Sequence, residues 1–169
     1  MASTQSSETL HATSVAIDGR AVLLCGSSGM GKSDLALRLI DEAAQGGAKG
    51  IARTSVRLVA DDRTILFTRN GALHAKAPAS IKGLLEIRGL GIVQLPVRAS
   101  VKIALVVRLG REDTRLPVHR LYRAPASLKL VAAPPQITLD ARFASTPAKI
   151  RAALAAFSQG SFRDTFHLN

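Results

Sequence analysis

One short segment constrains this chain more than any other: residues 26–33, which read GSSGMGKS. They fit the pattern G-x-x-x-x-G-K-[ST], in which glycines let the backbone wind so tightly that successive N–H groups converge on an anion. An apolar strand, AVLLC, precedes the segment, and apolar residues at helical spacing predict a helix over residues 32–45. The N-terminal end of that helix would add its positive dipole end, so the segment predicts a phosphate-binding loop, or P-loop.

Two side chains of this loop add chemistry to the backbone cradle. The Lys32 ammonium can reach the β- and γ-phosphates of a nucleotide, and the Ser33 hydroxyl can ligate Mg²⁺. The segment therefore predicts that a nucleoside triphosphate such as ATP binds with Mg²⁺. The predicted phosphate-binding residues are Gly26, Ser27, Ser28, Gly29, Met30, Gly31, Lys32 and Ser33.

The rest of the chain predicts an α/β fold. Its 169 residues suit one domain, and a composition of 47% apolar but only 4% aromatic residues favours a sheet of Val, Ile, Leu and Ala covered by helices. Asp18-Gly19 and Asn70-Gly71 predict hairpin turns, and STPAKIRAALAAF predicts a last helix that Ser145 or Thr146 caps. We expect a P-loop (Walker A) kinase-type domain with a central mixed β-sheet over residues 10–169, after a disordered tail at 1–9.

Three carboxylates are candidates for work beside the phosphates. Asp61 and Asp62 close the buried strand VRLVA, where a P-loop protein needs an acidic group on the far side of the metal. Successive strand residues point to opposite faces, so the two need not do the same job, and a solvated turn is the alternative. A carboxylate near the γ-phosphate could accept a substrate hydroxyl's proton, which indicates transfer rather than hydrolysis. Glu86 lies in an apolar run, and an exposed strand face is equally compatible with it.

Charge and cysteine content narrow the remaining classes. The net charge of +11 attracts anions, but its basic residues are dispersed and no nucleic-acid-binding module is visible, which argues against nucleic acid. No secretion signal or membrane-spanning run is present, so we expect a cytoplasmic protein without membrane insertion. Cys25 is the single cysteine, and its apolar surroundings predict a small buried side chain.

Four segments together resemble one family. GSSGMGKSD, RLVADD and LEIRGLGIV are similar to segments of the HPr kinase/phosphorylase family, and His11 lies fifteen residues before Gly26, where that family keeps a functional histidine. The resemblance covers residues 10 to about 115. It implies a bacterial protein-serine kinase that uses ATP and Mg²⁺ to phosphorylate the phosphocarrier HPr, and many members also run the reverse reaction with inorganic phosphate.

The resemblance also implies a role for each matching residue. Lys32 would stabilise the transferring phosphoryl group, and Asp62 would be the base toward the target serine. Further implied roles are Mg²⁺ binding by Ser33 and Glu86, support of the metal or of Asp62 by Asp61, tuning of Asp62 by His11, and charge neutralisation by Arg115.

The sequence differs from the longer family members in three ways. It resembles a short form with the catalytic domain alone, an insertion at 44–56 predicts a mobile surface loop, and APPQITLDARF replaces the segment used for phosphorolysis. The kinase direction is thus better supported than the phosphorylase direction. Homo-oligomerisation stays open. So do two other functions: a small-molecule P-loop kinase, and a nucleotide-binding regulatory module with a partner in a sensor-kinase pathway.

Overall fold

The computed structural model describes residues 6–44 and 54–160, and two α-helices and eleven strands lie within them. The helices are α1 (Lys32–Ala44) and α2 (Thr146–Gln159), and short 3₁₀ turns occupy Ala79–Ile81 and Ala126–Leu128. The strands are β1 (Ser7–Leu10), β2 (Ala12–Ile17), β3 (Arg20–Cys25), β4 (Val56–Ala60), β5 (Thr64–Arg69), β6 (Ala72–Lys76), β7 (Leu84–Ile87), β8 (Gly91–Gln94), β9 (Val101–Leu109), β10 (Arg120–Leu121) and β11 (Pro135–Leu139).

Nine of the described strands form one mixed sheet. Seven follow the order β1-β5-β6-β9-β3-β2-β4. The other two are β11, which pairs with β9, and β10, which pairs with β11. β3 and β11 each run parallel to β9, whereas the other pairs are antiparallel. The C-terminal ends of β3, β9 and β11 therefore lie at one edge, which is where open α/β sheets bind ligands.

Two apolar clusters cover the two faces of the sheet. In β3, Val22 and Leu24 point to one cluster and Leu23 to the other, as the two-residue period of a strand requires. The helices α1 and α2 pack on the first face through fully buried side chains: Leu35, Leu39, Ile150 and Leu154. The predicted α/β architecture, with a mixed central sheet, a helix after the glycine-rich loop and a C-terminal helix, is confirmed.

Both predicted hairpin turns form where the sequence placed them. Asp18 and Gly19 have φ values of 47° and 78°, and Asn70 and Gly71 have 50° and 73°. Two consecutive left-handed residues give the turn whose twist matches the flanking strands, which explains the Asp-Gly and Asn-Gly pairs. The first of these hairpins aligns β2 and β3 so that Ala12 faces Cys25. The turn thereby holds the end of β2 beside the start of the glycine-rich loop.

Three expectations need correction or fall outside the described residues. The tail predicted at 1–9 is wrong from Ser7 onward, because Ser7–Leu10 pair antiparallel with β5. Ser145 precedes α2 but makes no side-chain cap, and the Thr146 hydroxyl instead donates to the Asp140 carbonyl at 2.6 Å. The insertion predicted at 44–56 falls mainly on residues 45–53, which lie outside the described residues, while residues 44 and 56 belong to α1 and β4.

The segment LLEIRGLGIVQ forms a separate two-stranded hairpin, β7–β8, beside the main sheet. A lone hairpin is marginally stable in water, so it needs packing against the rest of the molecule. Leu85 supplies that packing, since it is fully buried in the cluster beneath the helices, and Ile87 and Val93 pack against the same cluster. The hairpin is thereby anchored beside the N-terminal end of α1.

Candidate functional site

A cleft of about 340 Å³ opens where β3 ends and α1 begins. It lies at the carboxyl edge of the parallel strands, between the glycine-rich loop, the end of β4 and the β7–β8 hairpin. Its lining residues are His11, Ser28, Gly29, Gly31, Lys32, Ser33, Asp34, Leu37, Asp61, Asp62, Glu86, Ile87 and Arg88. The structure thus brings together all but one of the predicted catalytic and metal-binding side chains.

The glycine-rich loop has the backbone shape that its sequence predicts. Gly29 and Gly31 have φ values of 80° and 86°, in the left-handed region that side chains other than glycine rarely occupy. A Cβ at Gly31 would also lie only 3.3 Å from the Ala141 Cβ, so the loop packs closely against the segment that follows β11. Only glycine satisfies both conditions at position 31.

Lys32 lies inside this loop, with 6% of its surface exposed. Its Nζ donates to the carbonyls of Gly26 at 2.8 Å and Ser27 at 3.1 Å, and lies 3.1 Å from His11 Nε2. Burial lowers the pKa of Lys32, and the negative charges of Asp62 and Asp61 oppose that shift. The ammonium therefore occupies the centre of the cradle, held by its own loop.

Asp61 is buried beneath the cleft, with 5% of its surface exposed. Its Oδ1 accepts hydrogen bonds from the hydroxyls of Thr13 and Ser33, both at 2.7 Å, and its Oδ2 accepts the Glu86 N–H at 3.3 Å. A buried carboxylate is tolerated when its oxygens are satisfied in this way. Asp61 therefore ties β2, the first turn of α1 and β7 together around the cleft.

Asp62 is turned away from Asp61 by its backbone. Its φ of 60° is left-handed, a conformation that Asp adopts more readily than most residues. The side chain is 64% exposed, and its Oδ1 lies 3.0 Å from His11 Nδ1. The sequence left open whether two adjacent aspartates share one job, and the structure gives them different surroundings.

The His11 tautomer follows from its two neighbours. A lysine ammonium only donates hydrogen bonds, so His11 Nε2 must accept from Lys32, and His11 Nδ1 then carries the proton that it donates to Asp62. This chain of contacts joins the glycine-rich loop to the exposed carboxylate. Asp62 Oδ2 has no hydrogen-bond partner among the described residues and remains available at the cleft.

The remaining predicted side chains divide into two groups. Glu86 is exposed on β7 and lines the cleft, whereas Arg115 lies in the exposed connection after β9 and is not a lining residue. Cys25 is half-buried, and burial raises the pKa of its thiol to about 11.

Sequence reasoning missed two residues at this site. Thr13 is fully buried in the strand beside the loop strand, and a buried hydroxyl needs a polar partner, here Asp61. Arg88 lines the cleft at the end of the β7–β8 hairpin. Its position two residues after Glu86 was the available signal, since such residues lie on the same face of an extended chain.

The hydroxyl oxygen of Ser33 is oriented so that it could bind a magnesium ion. The Ser33 hydroxyl gives its only proton to Asp61, so its oxygen lone pairs stay free for a cation at the loop. Among the described residues, no group of three or more His, Cys, Asp or Glu side chains could hold a metal by itself. Mg²⁺ bound with a nucleotide uses few protein oxygens and keeps its other positions for water and substrate phosphates.

The fold and the cleft define a class of protein. It is a mixed α/β protein whose glycine-rich loop joins the end of a parallel strand to the N-terminus of a helix. A sequence model of the HPr Serine kinase C-terminal domain matches residues 2–139. The chain belongs to this family. No helix within 6–44 and 54–160 is long and apolar enough to cross a membrane.

Individual relatives agree with the family match. HPr kinase/phosphorylase of Brevibacillus brevis is 36% identical over 131 residues, which are 73% of this chain and 38% of that protein. The enzyme of the same name from Listeria monocytogenes is 39% identical over 112 residues, or 62% of this chain and 32% of that protein. The chain thus spans about a third of the length of these curated relatives.

A solved structure shares the fold. The Hpr(Ser) kinase/phosphatase from Coxiella burnetii superposes with a TM-score of 0.70. The superposition covers 90% of this chain and 97% of the Coxiella chain. At 24% sequence identity, this similarity supports the architecture.

Proposed function

We propose that the chain is an ATP- and Mg²⁺-dependent protein-serine kinase whose acceptor is a seryl residue of the phosphocarrier HPr. The family membership and the names of the relatives support the substrate class. One observation carries the mechanism: a carboxylate with a free oxygen, Asp62, is linked through His11 to the loop lysine. Many P-loop proteins that hydrolyse a nucleotide position water without a strong base, whereas transfer to a hydroxyl benefits from a base beside the phosphate.

The glycine-rich loop and Lys32 would bind and orient the triphosphate. On ATP binding, the Lys32 ammonium would exchange its contacts with the Gly26 and Ser27 carbonyls for phosphate oxygens. The loop N–H groups and the α1 N-terminus act on the same negative charge. This fixed arrangement stabilises charge on the transferring group without reorganisation during the reaction.

Asp62 would then prepare the acceptor. The serine hydroxyl donates to the free Oδ2, its oxygen attacks the γ-phosphorus, and its proton passes to Asp62 as the bond to the ADP oxygen breaks. His11 holds Asp62 Oδ1 at 3.0 Å and so orients the other oxygen toward the cleft. The effect of such positioned proton transfer is typically about 10²–10⁴-fold in rate.

Ser33 and Glu86 would hold Mg²⁺ between them, with Asp61 orienting the Ser33 hydroxyl. When bound, the ion neutralises charge on the β- and γ-phosphates. Arg115 lies outside the described cleft lining, so its assignment to charge neutralisation stays a prediction from the resemblance.

The direct test is transfer to a carrier. The purified protein is incubated with ATP, Mg²⁺ and an HPr phosphocarrier from the same genome, and the carrier's intact mass and modified residue are measured. We expect one added phosphoryl group on a serine. An unmodified carrier, under conditions where ATP binding is demonstrated, would reject the proposal.

The relatives' names also include phosphorylase, and the same site can be tested in reverse. Phosphoseryl-HPr is incubated with inorganic phosphate, and released pyrophosphate is measured. We propose that Asp62 returns the proton to the serine oxygen in this direction. Release of free phosphate in place of pyrophosphate would exclude phosphorolysis and leave the kinase proposal standing.

A further inference from the structure

The β7–β8 hairpin exposes two large apolar side chains beside the cleft. Leu90 is 72% exposed and Ile92 is 69% exposed, and we call these two side chains the apolar rim. Both stand on the hairpin whose other residues, Glu86, Ile87 and Arg88, line the cleft. The apolar rim is therefore built into the wall of the proposed active site.

The strand register places this surface directly beside the reacting groups. Ile92 faces Glu86 in the antiparallel pairing, so the two side chains leave the hairpin on the same face. Leu90 lies in the turn at the hairpin tip, two residues after the cleft-lining Arg88. The apolar surface is thus continuous with the polar mouth of the cleft.

The hairpin tip is shaped by its own residues rather than by neighbours. Gly89 and Gly91 have φ values of 83° and 120°, and a Cβ at either position would meet nothing within 4 Å. The Leu90 N–H donates to the Ile87 carbonyl at 3.0 Å and closes the turn. The tip stands clear of the described chain, while Leu85 anchors its base in the core.

We propose that the apolar rim is the docking surface for the protein that carries the acceptor serine, an inference that rests on the proposed kinase function. A small hydroxyl compound would fit inside a cleft of about 340 Å³ and leave the apolar rim uncovered. A folded protein that delivers a serine to Asp62 must cover the surface beside the opening. The matching surface on the acceptor is an apolar patch flanking its serine.

Charge agrees with a protein acceptor of this kind. Arg88 is exposed beside the apolar rim, and Lys82 is exposed just before β7. Glu86, the acid of the hairpin, is reserved in the proposed mechanism for Mg²⁺. The surface around the apolar rim thus favours a partner with acidic groups around its apolar patch.

The test separates docking from chemistry. The double variant Leu90→Ser, Ile92→Ser is compared with the wild type in steady-state transfer from ATP to the HPr carrier. A control double variant, Leu121→Ser, Val131→Ser, removes side chains that are 65% and 89% exposed on other parts of the surface. Removing two docking side chains at an interface centre should raise the KM for the carrier on the order of tenfold or more.

Three readouts make the result specific. We expect the KM for ATP and the kcat at saturating carrier to stay within about twofold of the wild type, and the control variant to match the wild type throughout. An unchanged carrier KM in a variant that transfers phosphate normally would overturn the docking proposal and leave the kinase proposal intact. A wild type that binds ATP but modifies no carrier would overturn both.

A second copy of this chain is the competing occupant. Light scattering of the wild type and the rim variant distinguishes it, because loss of self-association with an unchanged carrier KM would assign the apolar rim to an oligomer. An unchanged oligomeric state together with the raised KM is the result that we predict.

Discussion

Asp61 and Asp62 show how two neighbouring residues of one type acquire different roles. Asp61 continues the direction of β4 into the interior and accepts three hydrogen bonds, whereas the left-handed backbone at Asp62 turns its side chain to His11. The sequence could predict the pair at a strand end. It could not predict that the two aspartates have different surroundings. That difference depends on the φ angle of Asp62 and on Thr13, which is distant in sequence from both.

The Thr13 hydroxyl should matter to both stability and metal binding. Thr13→Val removes one of the donors to buried Asp61 at nearly constant volume, and we expect a loss of about 1–3 kcal/mol in unfolding free energy. Mg²⁺-dependent ATP binding should weaken as well, because Asp61 orients Ser33. Urea denaturation and ATP titrations at varied Mg²⁺ measure the two effects.

A matched control is available on the opposite face of the sheet, where Thr64 lies against Ser14 rather than Thr13. Thr64 is also fully buried, and its hydroxyl donates to the Ala12 carbonyl at 2.8 Å, away from Asp61. Thr64→Val should lower stability without altering the Mg²⁺ dependence. Equal effects of the two variants on Mg²⁺ dependence would contradict the role given to Thr13.

The Asp140–Arg142 pair predicts a pH dependence of stability. Hydrogen bonds from the side chain and backbone of Arg142 lower the pKa of Asp140 to about 2 from its ordinary 3.8. The ionised carboxylate is the form that these contacts stabilise, so the contribution is complete above pH 4 and disappears as the pH falls toward 2.

The experiment compares unfolding free energies of the wild type and Arg142→Gln across pH 2–6. Their difference should be constant above about pH 4 and shrink toward pH 2. Arg98→Gln, at an exposed arginine with no ion pair among the described residues, should give a difference that does not change with pH. A difference for Arg142→Gln that grows on acidification would have the wrong sign for this pair.

At the scale of elements, the hairpins separate what local sequence can and cannot specify. Asp18-Gly19 and Asn70-Gly71 encode their turns directly, because two-residue turns require left-handed residues. The β7–β8 hairpin has a longer tip, and no Asp-Gly or Asn-Gly pair marks its turn in the sequence. Its pairing depends on Leu85 reaching a core built by α1 and the central strands, which is information from distant residues.

Leu85 should therefore be the anchor of this hairpin. Leu85→Ala removes a fully buried side chain, and we expect a loss of about 2–5 kcal/mol in unfolding free energy. Leu116→Ala, at a leucine that is 64% exposed, should change stability by less than about 0.5 kcal/mol. Chemical denaturation measures both, and similar small losses would show that the hairpin does not depend on Leu85.

The structures of β1 and of the start of α2 also depend on tertiary contacts. Ser7–Thr9 are polar and lie in a segment without local strand signals, yet pairing with β5 orders them. At α2, the Thr146 hydroxyl is drawn to the Asp140 carbonyl rather than to the helix N-terminus. Tertiary partners decided both outcomes, so local capping and disorder signals predicted them incorrectly.

At the scale of the whole molecule, the topology explains why the site residues converge. β3 and β4 do not pair with each other, but both pair with β2, which brings the glycine-rich loop and Asp61–Asp62 to the same edge. His11 immediately precedes β2 and joins them there. The motifs could be recognised one by one in the sequence, whereas their contact required the strand order.

ATP should stabilise the whole fold through this edge. With Mg²⁺ and ATP at about 100 times its dissociation constant, linkage adds about 2.7 kcal/mol to the unfolding free energy. Lys32→Met should abolish most of the rise in melting temperature, because the cradle loses its buried ammonium. Differential scanning calorimetry with and without MgATP tests this, and an equal rise in both proteins would contradict the placement of the phosphates.

The central claim is that Asp62 serves transfer to a serine rather than nucleotide binding. The most direct measurement is single-turnover phosphorylation of the HPr carrier by the wild type and Asp62→Asn, with ATP affinity determined for both. We predict similar ATP affinity and a transfer rate lower by about 10²–10⁴-fold in the variant. Transfer at the wild-type rate by Asp62→Asn would contradict the account.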